Sequence, residues 1–133
     1  MHVVIRLWLA IYCLKAILSK VFMSKTPLER LSDTVTESHK KIQNDFESIN
    51  PVVSVTTKMR GVGIPADVMM IDCLVTKRRI LIVLNDEQPD SFSYQFCMKE
   101  EDPLDQFTVL PLTDLTETLI YDWIAGYFSE NKD

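Results

Sequence analysis

The sequence predicts an α+β fold: an antiparallel meander sheet of four to five strands, flanked by an N-terminal and a C-terminal amphipathic helix. Three observations carry this expectation. Two helix-start signals, Thr26-Pro27-Leu28-Glu29 and Asp114-Leu115-Thr116-Glu117, lie near opposite ends of the chain. The residues between them fall into short runs of β-branched and aromatic type. The connections between those runs are short, which favours consecutive hairpins over crossovers.

The first signal reads as a capping Thr26, a proline at the first helical position and Glu29 at the third. The first turn of a helix carries unpaired N–H groups, and these side chains satisfy them. Helix one is expected over 27–49, because Leu28, Leu31, Val35, Ile42, Phe46 and Ile49 recur at steps of three, four or seven. Asn50-Pro51 is its expected stop.

Strand one, 52–60, alternates: Val53, Val55 and Met59 against Ser54, Thr56, Lys58 and Arg60. Such alternation marks a half-buried strand. Gly61-Val62-Gly63-Ile64-Pro65 reads as a connection. Strand two, 66–75, and strand three, 79–84, are apolar on both faces, with Asp72 interrupting strand two. Between strands three and four, Asn85 to Asp90 has turn composition. Strand four alternates again, with Phe92, Tyr94, Phe96 and Met98 against Ser93, Gln95, Cys97 and Lys99. An acidic loop, 100–106, leads to a short strand over 107–110, which Pro111 confines to a sheet edge. The last helix, 115–128, has a wide apolar face of Leu115, Leu119, Ile120, Trp123, Ile124, Tyr127 and Phe128. Helices do not alternate with strands, which argues against a doubly wound nucleotide fold.

Two segments are distinguished. Residues 23–133 form the expected single α+β domain, and residues 1–22 an apolar N-terminal extension outside it. That extension holds Arg6, Lys15 and Lys20 and no acid. As a membrane anchor it would place Lys15 near its middle, where a cation costs about 3 kcal/mol on insertion scales. As a secretory signal it lacks a small-x-small cleavage site. A translation start at Met23 is the favoured reading, and a membrane enters only if residues 1–22 are made and retained.

The remaining charge is uneven. Nine Lys and Arg face seven acids over 23–84, whereas 85–133 holds two lysines and twelve acids. An acidic C-terminal half repels phosphates, so no nucleic-acid partner is expected. The run Lys77-Arg78-Arg79 has no interleaved aromatics and reads as a solvated turn. Cys13, Cys73 and Cys97 are odd in number and far apart, which supports neither a disulfide framework nor a zinc knuckle. They fit a cytoplasmic protein, the alternative being one anchored to the inner membrane by residues 1–22.

Catalytic and cofactor signals are weak throughout. Gly61-Val62-Gly63 lacks the third glycine and following helix of a phosphate cradle. The acidic loop lacks the spacing of a calcium site, and two histidines leave little for a metal centre. No catalytic residue, metal or cofactor is therefore expected. Asp72, a carboxylate within an apolar strand, must be paired or protonated. With His39 and Tyr94 it supplies the candidates for a small-molecule pocket between sheet and helices, the alternative function considered. The leading expectation rests on the two-faced central strands. If both helices cover one face of the sheet, the other exposes an apolar strip, with Val68, Met70, Leu74, Leu81 and Val83 as interface candidates. One helix on each face would leave no strip. The first arrangement implies a non-enzymatic, adaptor- or chaperone-like interaction module, partnered by itself as a homodimer or by another protein.

Overall fold

The computed structural model describes residues 25–103 and 105–129. The expected extension 1–22 lies outside the described residues. Helix α1 spans Pro27–Asp45 and opens with the expected capping box. The Thr26 hydroxyl accepts from the Glu29 N–H, and the Glu29 carboxylate accepts from the Thr26 N–H. It ends four residues earlier than its apolar stripe, at Asp45, where Phe46 turns to an extended conformation. Leaving the helix there lets Ile49 and Pro51 be buried from a connecting segment.

The sheet has five antiparallel strands in the order β1-β2-β3-β4-β5: Val52–Thr56, Ala66–Asp72, Arg78–Asn85, Ser91–Met98 and Thr108–Pro111. It is the expected meander. Strand β1 stops at Thr56 instead of Arg60, because Thr56 Oγ1 accepts the Lys58 N–H and starts a helical turn, α2, over Lys58–Gly61. Strand β2 stops at Asp72 instead of Val75. Residues 73–77 form the turn into β3, closed by the Lys77 N–H on the Cys73 carbonyl, with Lys77 in the left-handed region at φ 63°. Of the basic run only Lys77 is therefore in the turn. Arg78 and Arg79 open β3, and Arg78 stacks over the Tyr127 ring while donating to the Tyr127 carbonyl at 2.6 Å.

The second helix-start signal is shifted. A 3-10 turn, Leu112–Asp114, buries Leu112 and Leu115, and helix α3 then runs Glu117–Phe128 with Thr116 as its cap. The Thr116 hydroxyl accepts from the Leu119 N–H at 3.1 Å. Asp114, the residue expected to cap, belongs to the turn before it.

Both long helices lie on one face of the sheet. Cross-strand register puts Val55, Met69, Ile82 and Tyr94 in one row, and Val53, Ile71, Ile80 and Phe96 in the next. Met69, Ile71, Ile80 and Ile82 share a core cluster with Leu31, Val35 and Ile42 of α1 and with Ile120, Ile124 and Phe128 of α3. The helices meet each other directly, the buried Ser38 hydroxyl donating to the Glu117 carbonyl at 2.9 Å. Among the described residues, no helix is long and apolar enough to cross a membrane.

Candidate functional site

Because successive strand residues point to opposite faces, the register that defines the helix-covered side also defines the side that, among the described residues, no helix covers. Its central row is Val68 beside Val83, and Met70 beside Leu81. These four candidates come together on β2 and β3. Val68, Met70 and Val83 are half-buried, while Leu81 is 5% exposed yet stands outside the core cluster. The register places it between Met70 and Gln95. Leu74, the fifth candidate, is not on this face. It lies in the β2–β3 turn, 50% exposed, next to the exposed Val75.

Around the apolar row stand small polar groups: Ser54 and Thr56 on β1, Asn85 on β3, and Ser91, Ser93 and Gln95 on β4. Gln95 is buried, and its amide donates to the Gln106 carbonyl at 2.8 Å, which fastens the segment before β5 to the rim of the face. Charge appears at one end only. Asp72 and Arg79 are cross-strand partners, and Arg79 Nε and Nη2 donate to the two carboxylate oxygens at 2.6 and 2.9 Å. The bond to Asp72 holds the Arg79 pKa above its ordinary value. Cys97 faces Arg79 from β4, and burial pushes its thiol pKa up, which disfavours the nucleophilic thiolate.

The three pocket candidates are not brought together. Asp72 is on the helix-free face and committed to Arg79. Tyr94 points to the other side, where its ring lies 4.3 Å from that of Trp123. His39 sits on α1 with Nε2 3.1 Å from the Pro51 carbonyl, pinning the chain where it enters β1. Two clefts of about 350 and 360 Å³ lie elsewhere. One is lined by Thr26, Leu28, Arg60, Asp67 and Asp86, the other by Phe46, Ile49, Cys73, Val75 and Phe128. Neither includes His39, Asp72 or Tyr94. In the first, Arg60 uses both sides of its guanidinium, donating to Asp67 at 2.8 and 3.0 Å and to Asp86 at 2.8 and 2.9 Å. Among the described residues, no group of three or more His, Cys, Asp or Glu side chains is placed to hold a metal ion.

Sequence reasoning passed over Asp67, a buried carboxylate of β2 held by Arg60, and it missed the partner of Asp72. Asp72 announces itself as a carboxylate in an apolar strand, but Arg79 becomes its partner only once the β2–β3 register is known. Arg60 gives no signal at all, because its expected place was the polar side of a longer β1. Compared with protein families, curated proteins and solved structures, the chain matches none.

Proposed function

We propose that this chain is a non-enzymatic protein-interaction module whose contact surface is the helix-free face of its sheet, closed by a second copy of the same chain. The observation that carries this reading is the charge pattern. A quarter of all residues are charged, yet among the described residues the only charged side chains at strand positions on that face are Asp72 and Arg79, bonded to each other. A sheet face built for water alternates apolar-in with polar-out. Here β2 and β3 turn the half-buried Val68, Met70 and Val83 to that face instead, with Leu81 buried among them. Depletion of charge from a patch with an apolar centre is the compositional mark of an interface core.

A second copy suits this surface because the face carries no net charge to repel its own image. In a two-fold contact the same patch meets itself, so any unpaired charge near the axis would oppose association. Half-buried valine and methionine side chains would lose their remaining water contact on both sides at once. The test is the molar mass of the full chain by light scattering, wild type beside the double variant Met70→Lys, Val83→Lys. Both positions are half-buried, not sealed, so lysine can reach solvent in the single chain but meets lysine in the pair. The wild type should associate through this face and the double variant should lose that association at the same concentration. A wild type that stays at single-chain mass at high micromolar concentration contradicts the proposal.

A further inference from the structure

A separate feature points to a second contact, at the outer edge of β1. An edge strand presents a row of unpaired backbone N–H and C=O groups, and folded proteins ordinarily guard such edges with charge, proline, bulges or a covering element. The two edges of this sheet differ in that respect. Strand β5 has only four residues and ends in Pro111. Strand β1, Val-Val-Ser-Val-Thr, has no charged residue and no proline within it. Among the described residues, its backbone makes no hydrogen bond except to β2.

The side chains of β1 are also matched to a copy of themselves. Turning the strand about an axis through Ser54 sets Val53 opposite Val55, and Val52 opposite Thr56, a residue of nearly the same shape as valine. Val53 and Val55 lie on the helix-covered side and remain half-buried, so at the β1 edge the helices leave that side partly open. On the opposite side Val52 is 43% exposed and Ser54 is exposed. A symmetric antiparallel pairing would place four valines, two from each copy, in one row continuous with the two cores, where cross-strand β-branched pairs stabilise a sheet.

We propose that two copies of the chain join edge to edge through antiparallel β1 strands, with Ser54 on the two-fold axis, to form one continuous ten-stranded sheet. The contact is independent of the one on the helix-free face. Five residues a side make a small interface, so this pairing is weak and depends on concentration.

Its test exploits the axis. Directly opposed residues of an antiparallel pair have Cα atoms about 4.5–5.5 Å apart, within disulfide reach, whereas stacked sheets lie about 10 Å apart and out of reach. Ser54→Cys in a full-length chain carrying Cys13→Ser should form a covalent dimer under mild oxidation. It should do so many-fold faster than a Glu37→Cys control, in which the cysteine is exposed on α1. Mixing Val52→Cys with Thr56→Cys chains should give the crossed dimer, and either variant alone should give little. The double variant Met70→Lys, Val83→Lys should leave the Ser54→Cys reaction intact, which separates this contact from the face contact. Cross-linking of Ser54→Cys no faster than the control, or lost with the face variant, overturns the edge pairing. Loss of face association with cross-linking retained overturns nothing here and supports the two contacts as separate.

Discussion

Asp72 shows how a buried charge is tolerated in an oily strand. Its carboxylate is 8% exposed, and both oxygens receive N–H groups from the one guanidinium that hairpin register sets beside it. Removing one partner of a buried pair leaves the other uncompensated, whereas removing both with apolar replacements can be close to neutral. Asp72→Ala should therefore destabilise by about 3 kcal/mol in urea unfolding, at the lower end for a broken buried pair because Arg79 keeps some solvent contact. Asp72→Leu combined with Arg79→Met should cost less than either single change, and a double-mutant cycle reads the difference directly. The Arg60 fork makes a pH prediction. The Arg60 hydrogen bonds hold the Asp86 pKa below its ordinary 3.8. A carboxylate depressed in the folded state stabilises above its unfolded pKa and loses that contribution as pH falls through the folded one. Acid unfolding of Arg60→Met should accordingly begin from a lower baseline stability at neutral pH and show a shallower loss below pH 3.8 than the wild type.

At the scale of the elements, local chemistry was legible wherever the partner lies within a turn of helix. The Thr26–Glu29 box is such a case, and both halves of it form. The second helix start was legible only to within two residues. Asp114, Leu115 and Thr116 offer two possible caps, and the choice between them is made by Leu112 and Leu115, which the 3-10 turn buries together. Thr26→Ala and Thr116→Ala should each cost about 1 kcal/mol of unfolding free energy, and Asp114→Ala distinctly less. An Asp114 effect equal to that of Thr116 would contradict the observed cap. Strand ends were the least legible. Nothing in Cys73-Leu74-Val75 forbids extended structure, and β2 stops there because Lys77 adopts a left-handed conformation that closes the turn. The same blind spot lengthened β1, since Lys58 to Arg60 alternate like a strand while the Thr56 hydroxyl accepts the Lys58 N–H where a helical turn begins.

Across the whole molecule, the two-faced hydrophobicity of β2 and β3 was legible in the sequence, but the side taken by each helix was not. That choice depends on the contact between α1 and α3, fixed by Ser38 and Glu117, seventy-nine residues apart. Once both helices share a side, Val68, Met70, Leu81 and Val83 are left together on the other. The pocket grouping of His39, Asp72 and Tyr94 had no such support, because sequence proximity to apolar stripes does not say which side of a sheet a residue faces. The bare face is narrower than the apolar runs alone suggest. Leu74 leaves it for the turn, and hydroxyl groups from β1 and β4 frame it. What distinguishes it is the absence of uncompensated charge. Sedimentation equilibrium of the full chain, run beside Met70→Lys, Val83→Lys across the micromolar range, tests that point most directly. The account predicts that the wild type approaches at least twice the single-chain mass of 15.4 kDa and that the double variant associates less at every concentration. A wild type that remains at the single-chain mass, or a double variant that associates equally well, contradicts it.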